Sequence, residues 1–308
     1  MSYELILWIS FNIFILLMLA LDLGVIQRKT HIIKIKEALI WSAIWVILAL
    51  LFNAFIYFEF GKQKALEYLT GYVLERSLSI DNIFVFVLLF SYFKVPDKYH
   101  HKVLFWGVIG ALILRAALIA VGSVMVAKFS WIIYIFGAFL LYTGFKMAFQ
   151  TDMNIKPDDN FLIKTFRKFF PVTKDYHEGK FFIYENGKKF ATPLLVVLLS
   201  IEFTDLVFAF DSIPAIFAIT NDPFIIYTSN IFAILGLRTT YFALAGLMHK
   251  FHYLQIGLSM ILIFIGVKML IIDLYKIPIG FSLVVIALIL AASVIFSLWK
   301  PPGEKDNP

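Results

Sequence analysis

Glu75-Arg76-Ser77-Leu78-Ser79-Ile80-Asp81-Asn82 packs two carboxylates, an amide, two hydroxyls and a guanidinium into eight residues. The run around it, residues 65–93, is otherwise largely apolar. A run of about 20 or more such residues can cross a bilayer as a helix. An ionisable group at that depth costs about 3 kcal/mol on insertion scales, so it marks a functional site by default. A second stretch, Glu202-Phe203-Thr204-Asp205 through Asp211-Ser212-Ile213-Pro214, has the same character. The fold turns on how these two stretches are read together.

The 308 residues are 61% hydrophobic and only 16% charged, too apolar for a water-soluble domain. The chain is expected to be an all-α polytopic membrane protein. Nine spans can be drawn: 5–26, 38–60, 65–93, 103–127, 129–149, 191–220, 224–248, 253–274 and 279–299. Arg28 and Lys29 follow the first apolar run and do not precede it, so that run reads as a retained span. Eighteen lysines and arginines fall in connections on one side of such a bundle. Only Lys62, Lys64, Lys128 and Lys276 fall on the other. The positive-inside rule then predicts an outside N-terminus and a cytoplasmic C-terminus. The net charge of +6 is thereby a topology signal, and no nucleic-acid partner is expected.

The one long connection, 150–190, is expected in the cytoplasm. Its Asn186-Gly187 pair suits a two-residue hairpin turn. Phe161, Phe166, Phe169 and Phe170 in it rest on the membrane interface or the bundle, or dock a protein partner. The whole chain, 1–308, reads as a single transmembrane domain, with 279–308 forming a last span and tail.

An internal repeat is visible. Glu75-x-x-x-Ser79-x-Asp81-Asn82 aligns with Asp205-x-x-x-Ala209-x-Asp211-Ser212, and each is followed by a span with one arginine, Arg115 and Arg238. Each unit then closes on a similar run, one centred on Gly144-Phe-Lys146-Met147 and the other on Gly266-Val-Lys268-Met269. The units, 65–149 and 191–274, contain three spans each. An odd number forces the second copy to enter from the opposite face, the inverted arrangement that in transporters brackets a midplane binding site.

The pooled candidate ligands are all oxygen: Glu75, Asp81, Asn82, Glu202, Asp205 and Asp211, with Ser79 and Ser212 in support. The chain has no cysteine, and none of its six histidines falls in a span. Hard donors suit Mn²⁺, Ca²⁺ or Mg²⁺, or a proton, and argue against thiophilic ions. Arg76, Arg115 and Arg238 are candidate counter-charges or gates. The bland alternative is a pair of structural ion pairs, Glu75 with Arg115 and Asp205 with Arg238. Five acids against three arginines leave two negative charges over, which favours a cation or proton path. At 100° per residue Asp81 lies off the helical face that carries Glu75, Ser79 and Asn82. Either the helix is broken near Ser79 or the two acids serve different steps. Pro214 is expected to bend the helix around Asp211. Lys146 and Lys268 are expected to snorkel. Paired aspartates could do acid–base work, but no nucleophile-plus-base or metalloprotease motif accompanies them, and no enzyme activity or tightly bound cofactor is expected.

At these residues the chain resembles the TerC/Alx family of bacterial membrane proteins, within the wider LysE-type transporter superfamily. The resemblance is carried by Leu21-Asp-Leu-Gly-Val-Ile-Gln-Arg-Lys29, Gly71-Tyr-Val-Leu-Glu-Arg-Ser-Leu-Ser-Ile-Asp-Asn82 and Phe105-Trp-Gly-Val-Ile-Gly-Ala111. It continues through the stretch from Glu202 to Ala215 and Thr228-Ser-Asn-Ile-Phe-Ala-Ile-Leu-Gly-Leu-Arg238. It implies an inner-membrane protein linked to manganese export, with Glu75, Asp81, Asn82, Glu202, Asp205 and Asp211 as the acidic-site positions. Some family members are named for tellurium resistance. No nucleotide-binding motif is present, so a gradient, with protons as one candidate counter-ion, would drive transport. The alternative expectation is a non-transporting membrane component of a tellurium- or metal-stress complex, docking through the 150–190 loop.

Overall fold

The computed structural model describes residues 3–26, 35–129, 131–149, 170–173, 175–185, 188–245 and 253–299; the side chains of 22–26 and 81 lie outside the description. Most of the 150–190 connection, including Phe161, Phe166, Phe169 and the Asn186-Gly187 turn, is likewise outside it. The chain divides into two compact units, Met1–Ile33 and Lys34–Pro308.

The first unit contributes one helix, α1 (Tyr3–Ile26). Its few polar side chains bond back into the helix itself, Ser10 Oγ to the Ile6 carbonyl at 2.7 Å and Asn12 Nδ2 to the Trp8 carbonyl at 2.8 Å. Polar groups without water must be satisfied this way.

The second unit begins with α2 (Ile35–Tyr92), 58 residues whose helix is interrupted at Gly61, φ 86° and ψ 173°. That φ is open to glycine and strained for other residues. The chain reverses there. Phe52 and Tyr68 have ring centroids 5.6 Å apart, whereas 16 residues of straight helix would separate them by about 24 Å. Arg76 Nη2 likewise reaches Ser42 Oγ at 3.2 Å across the hairpin. The second arm of α2 then runs without interruption through the Glu75–Asn82 stretch, so there is no backbone break near Ser79.

Then come α3 (Asp97–Lys128) and α4 (Ile132–Phe149). A short segment follows, with one turn of 3₁₀ helix (His177–Gly179) and two antiparallel strands, β1 (Phe182–Glu185) and β2 (Lys188–Ala191). It is tied down by Tyr176 Oη to the Phe93 carbonyl at 2.6 Å and Lys102 Nζ to the Gly179 carbonyl at 2.9 Å. The second half comprises α5 (Pro193–Phe217), α6 (Pro223–Leu235), α7 (Leu237–Leu244), α8 (Leu254–Leu270) and α9 (Ile279–Trp299). α5 continues as one helix through Asp211, with Pro214 in its last turn. The interruption lies instead at Gly236, between α6 and α7. Arg76 holds that break: Nη1 donates to the Ala233 carbonyl at 3.1 Å, and Nη2 reaches Thr240 Oγ1.

The surface is inverted relative to a soluble protein. Leu16, Leu51, Phe58, Ile113, Tyr142 and Leu288 are exposed, while Glu75, Asn82, Arg115, Asp205 and Asn230 are buried. An apolar exterior around a polar interior is what a bilayer selects. Six of the described helices (α1 to α5 and α9) are long and apolar enough to cross a membrane. This is a multi-pass integral membrane protein.

Within the second unit, α4 packs most extensively on α8. α2 packs on α5, α6 and α7, α3 on α5 and α6, and α9 on α8. The α4–α8 crossing brings backbones together. A Cβ built at Gly266 would lie 2.8 Å from the Gly137 carbonyl oxygen, and one at Gly144 would lie 3.0 Å from the Ser259 carbonyl oxygen. Small residues permit this approach in membranes. Gly266→Val should therefore destabilise the protein by about 1–3 kcal/mol through overpacking, read as a lower melting temperature in detergent; an unchanged melting temperature would mean the crossing is looser. α9 also explains a departure from expectation. Lys268 does not snorkel; it is buried and donates to Ser282 Oγ of α9 at 3.0 Å, whereas Lys146 on α4 is exposed.

Candidate functional site

Glu75, Gly71 and Asn82 fall on one face of the second arm of α2 by helical spacing, and that face meets α5 and α6. Arg115, midway along α3, is buried between them with 1% exposure. Its Nη1 donates to Glu75 Oε1. Its Nε and Nη2 take the two oxygens of Asp205 at 3.3 and 3.1 Å, a bidentate grip. Nη1 also reaches Ser212 Oγ and Asn230 Oδ1, both at 3.3 Å. Asn230 Nδ2 returns to Glu75 Oε2 at 3.0 Å, and Asn82 Nδ2 to Asp205 Oδ1 at 3.1 Å. Ser212 hydrogen-bonds Glu75 as well. Two carboxylates from different helices thus share one guanidinium inside a ring of amides and a hydroxyl.

The ring is not fully closed. Asn82 is 1% exposed, yet its Oδ1 has no hydrogen-bond partner among the described residues; the same holds for Ser79 Oγ, at 2% exposure. Buried acceptors are rarely left so. A small cavity of about 30 Å³ lies against this edge, bounded by Glu75, Asn82, Arg115, Asp211 and Ser212, with Met147 and Phe208 among its walls. That is room for one or two waters or a small ion. Asp211 is half-buried and hydrogen-bonds Thr143 of α4.

Of the sequence-derived candidates, the structure brings Glu75, Asn82, Asp205, Asp211, Ser212 and Arg115 together. Glu202, one helical turn before Asp205, packs its carboxylate against Gly110 of α3, where any Cβ would collide with it. The Asp81 side chain lies outside the described residues. Arg76 braces the Gly236 break, and Arg238 sits with its guanidinium carbon 5.9 Å from the Phe105 ring centroid. Asp205 goes to Arg115 and not to Arg238. The side chain that completes the site beside Arg115 and Glu75 is Asn230, which is not among the sequence-derived candidates. Its signal was present in Thr228-Ser229-Asn230, three polar residues in a row inside an apolar span, all fully buried. Thr143 carried no comparable signal. A second polar group, also absent from the sequence reading, sits at the start of α6: Glu67 accepts from Thr220 at 2.6 Å and from Lys64 at 3.0 Å, while Asp222 pairs with Lys64 at 2.9 Å and caps α6.

Chemically the central site offers carboxylate, amide and hydroxyl oxygens, a hard donor set. Among the described residues no group of three or more His, Cys, Asp or Glu side chains is arranged to hold a metal ion. The cation that Glu75 and Asp205 hold is the guanidinium.

The model for the integral membrane protein TerC family matches residues 60–305. The chain is 52% identical over 306 residues to a membrane protein of Myxococcus xanthus, covering 98% of this chain and 96% of that one. It is 47% identical over 302 residues to a Photorhabdus laumondii protein and 46% identical over 302 residues to an Escherichia coli K12 protein. Each of those alignments covers 95% of this chain and 94% of the other, and both relatives are named for a membrane-bound redox modulator, Alx. No solved structure matches significantly. The extent of these matches makes the chain a member of the TerC family of integral membrane proteins.

Proposed function

We propose that this protein is a secondary transporter that exports Mn²⁺ from the cytoplasm, with protons as the candidate counter-ion, across the bacterial cytoplasmic membrane. The observation that carries the reading is the orphaned Oδ1 of Asn82, a residue that lines a small cavity together with Glu75, Asp211 and Ser212. A small cation there would satisfy the buried acceptor and add charge where carboxylates outnumber guanidinium. Glu75, Asn82, Asp211 and Ser212 would supply its oxygens, with Asp81, Asp205 and Glu202 on its path.

In this reading the bundle has nine spans, counting the two arms of α2 separately and α6 with α7 as one. The N-terminus is outside and the C-terminus cytoplasmic. Residues 65–149 and 191–274 are inverted repeats around the site, 150–190 is a cytoplasmic loop, and 279–308 is the last span and tail. Support comes from the packing. Exchange the second arm of α2 with α5, α3 with α6 and α7, and α4 with α8. The α2–α5 and α4–α8 contacts map onto themselves, and α2–α6 maps onto α5–α3. The same exchange turns the Gly137–Gly266 approach into the Ser259–Gly144 approach, and Asn82 with Asp205 into Ser212 with Glu75. Such symmetry is what alternating access by rocking one repeat against the other requires.

The redox role for which these relatives are named points to a second reading. With no cysteine in the chain, a redox role here would run through the ion moved and not through thiols. Cells expressing the protein should hold less manganese under manganese load than cells expressing Asp81→Asn. Equal manganese contents in the two would refute the export reading.

A further inference from the structure

We propose that Arg115 is a tethered counter-cation that neutralises the Glu75 and Asp205 carboxylates when the transported ion is absent and competes with that ion for Glu75. The inference rests on the transport reading above and adds a role for a residue that binds no cargo itself. Three observations support it. Arg115 is 1% exposed and spends its Nε, Nη1 and Nη2 groups on the two carboxylates, so it acts as a point of charge neutralisation and not as a surface pair. Those carboxylates come from α2 and α5, so a single guanidinium ties the two halves of the site together. Finally, Arg115 lines the same small cavity as the orphaned Asn82 and the half-buried Asp211, which puts it in the first contact layer of anything bound there.

A divalent cation in that cavity and a guanidinium on its wall repel each other and seek the same oxygens. Binding of the ion therefore pushes Arg115 off Glu75, while Asp205 and Asn230 remain acceptors within its reach. Release of the ion lets the guanidinium return. The empty site keeps its charge balance through this exchange and can reorient without dragging two bare carboxylates through a low-dielectric interior.

The role makes a prediction opposite in sign to that of a structural ion pair. In purified full-length protein, Arg115→Met should shift the Mn²⁺ concentration needed for half-maximal thermal stabilisation at least tenfold lower, because the competitor is gone. The same variant in proteoliposomes should lose at least tenfold in Mn²⁺ flux, because release and return of the empty site both slow. Arg115→Lys, which keeps the charge but not the bidentate grip, should show a smaller shift in the same direction. A variant that folds only with Mn²⁺ present would support the role too. Unchanged or weaker Mn²⁺ stabilisation in Arg115→Met overturns it. If that variant cannot be recovered with or without Mn²⁺, an unchanged or weaker response in Arg115→Lys does so. Failure of wild-type protein to respond to Mn²⁺, Ca²⁺ or Mg²⁺ would instead defeat the transport reading itself.

Discussion

Asp205→Ala is expected to destabilise the protein by about 3–5 kcal/mol, the range for removing one partner of a buried ion pair. Arg115 would lose a bidentate acceptor at 3.1 and 3.3 Å while itself remaining almost wholly buried. Asn82 would lose the acceptor of its amide at 3.1 Å. Glu75 would be left as the guanidinium's one anionic partner among the residues now contacting it. Asp205→Asn keeps an oxygen for Arg115 but not the charge, so its cost should fall to about 2 kcal/mol, that of a charged hydrogen bond. Melting temperatures of the two variants in detergent test the ordering. Losses below about 1 kcal/mol for both would mean the ion pair is not buried as described.

Asp211→Asn should behave in the opposite way, with a small effect on stability and a large effect on transport. Asp211 stands outside the Arg115 grip, half-buried at the cavity edge with its hydrogen bond to Thr143. An amide can keep that bond, so the stability change should stay within about 1 kcal/mol. If Asp211 is a ligand of the moving ion, its charge is needed at each cycle, and Mn²⁺ flux should fall by about 10–100-fold, the range set by outer-shell substitutions at metal sites, or by more. Full flux in a normally folded Asp211→Asn protein would remove it from the site. Together the two substitutions separate the residue that holds the structure from the residue that holds the cargo.

Much of this was legible from the sequence, for physical reasons. Apolar run length marks membrane helices because backbone groups in lipid must be satisfied within the helix. Charged residues inside those runs mark the site because they are costly there. Pairwise geometry was less legible. The spacing of Glu75, Ser79 and Asn82 predicts a shared face, but nothing local says that one arginine would serve both Glu75 and Asp205, since that depends on how Arg115 of α3 reaches between α2 and α5. Arg115 and Arg238 look alike in the sequence, yet it is Arg115 that pairs with both Glu75 and Asp205, while the Arg238 guanidinium lies near the Phe105 ring. Proline drew attention to Pro214, where the helix is nearly finished. The interruption sits at Gly236, whose single residue between apolar neighbours gives a weak local signal. Lys268 and Lys146 occupy matching positions, and only the docking of α9 buries one of them.

The central claim, that a divalent cation crosses the membrane through the Glu75–Asp205–Asp211 region, is tested most directly by ion flux in proteoliposomes of purified protein. Mn²⁺ would be loaded on one side, with Mg²⁺ and Ca²⁺ as competitors and a pH gradient imposed in turn. The account predicts Mn²⁺ movement above protein-free vesicles, outcompeted poorly by Mg²⁺ and Ca²⁺ and lost in Asp211→Asn. Mn²⁺ flux indistinguishable from protein-free vesicles, with the protein folded and correctly inserted, would contradict it.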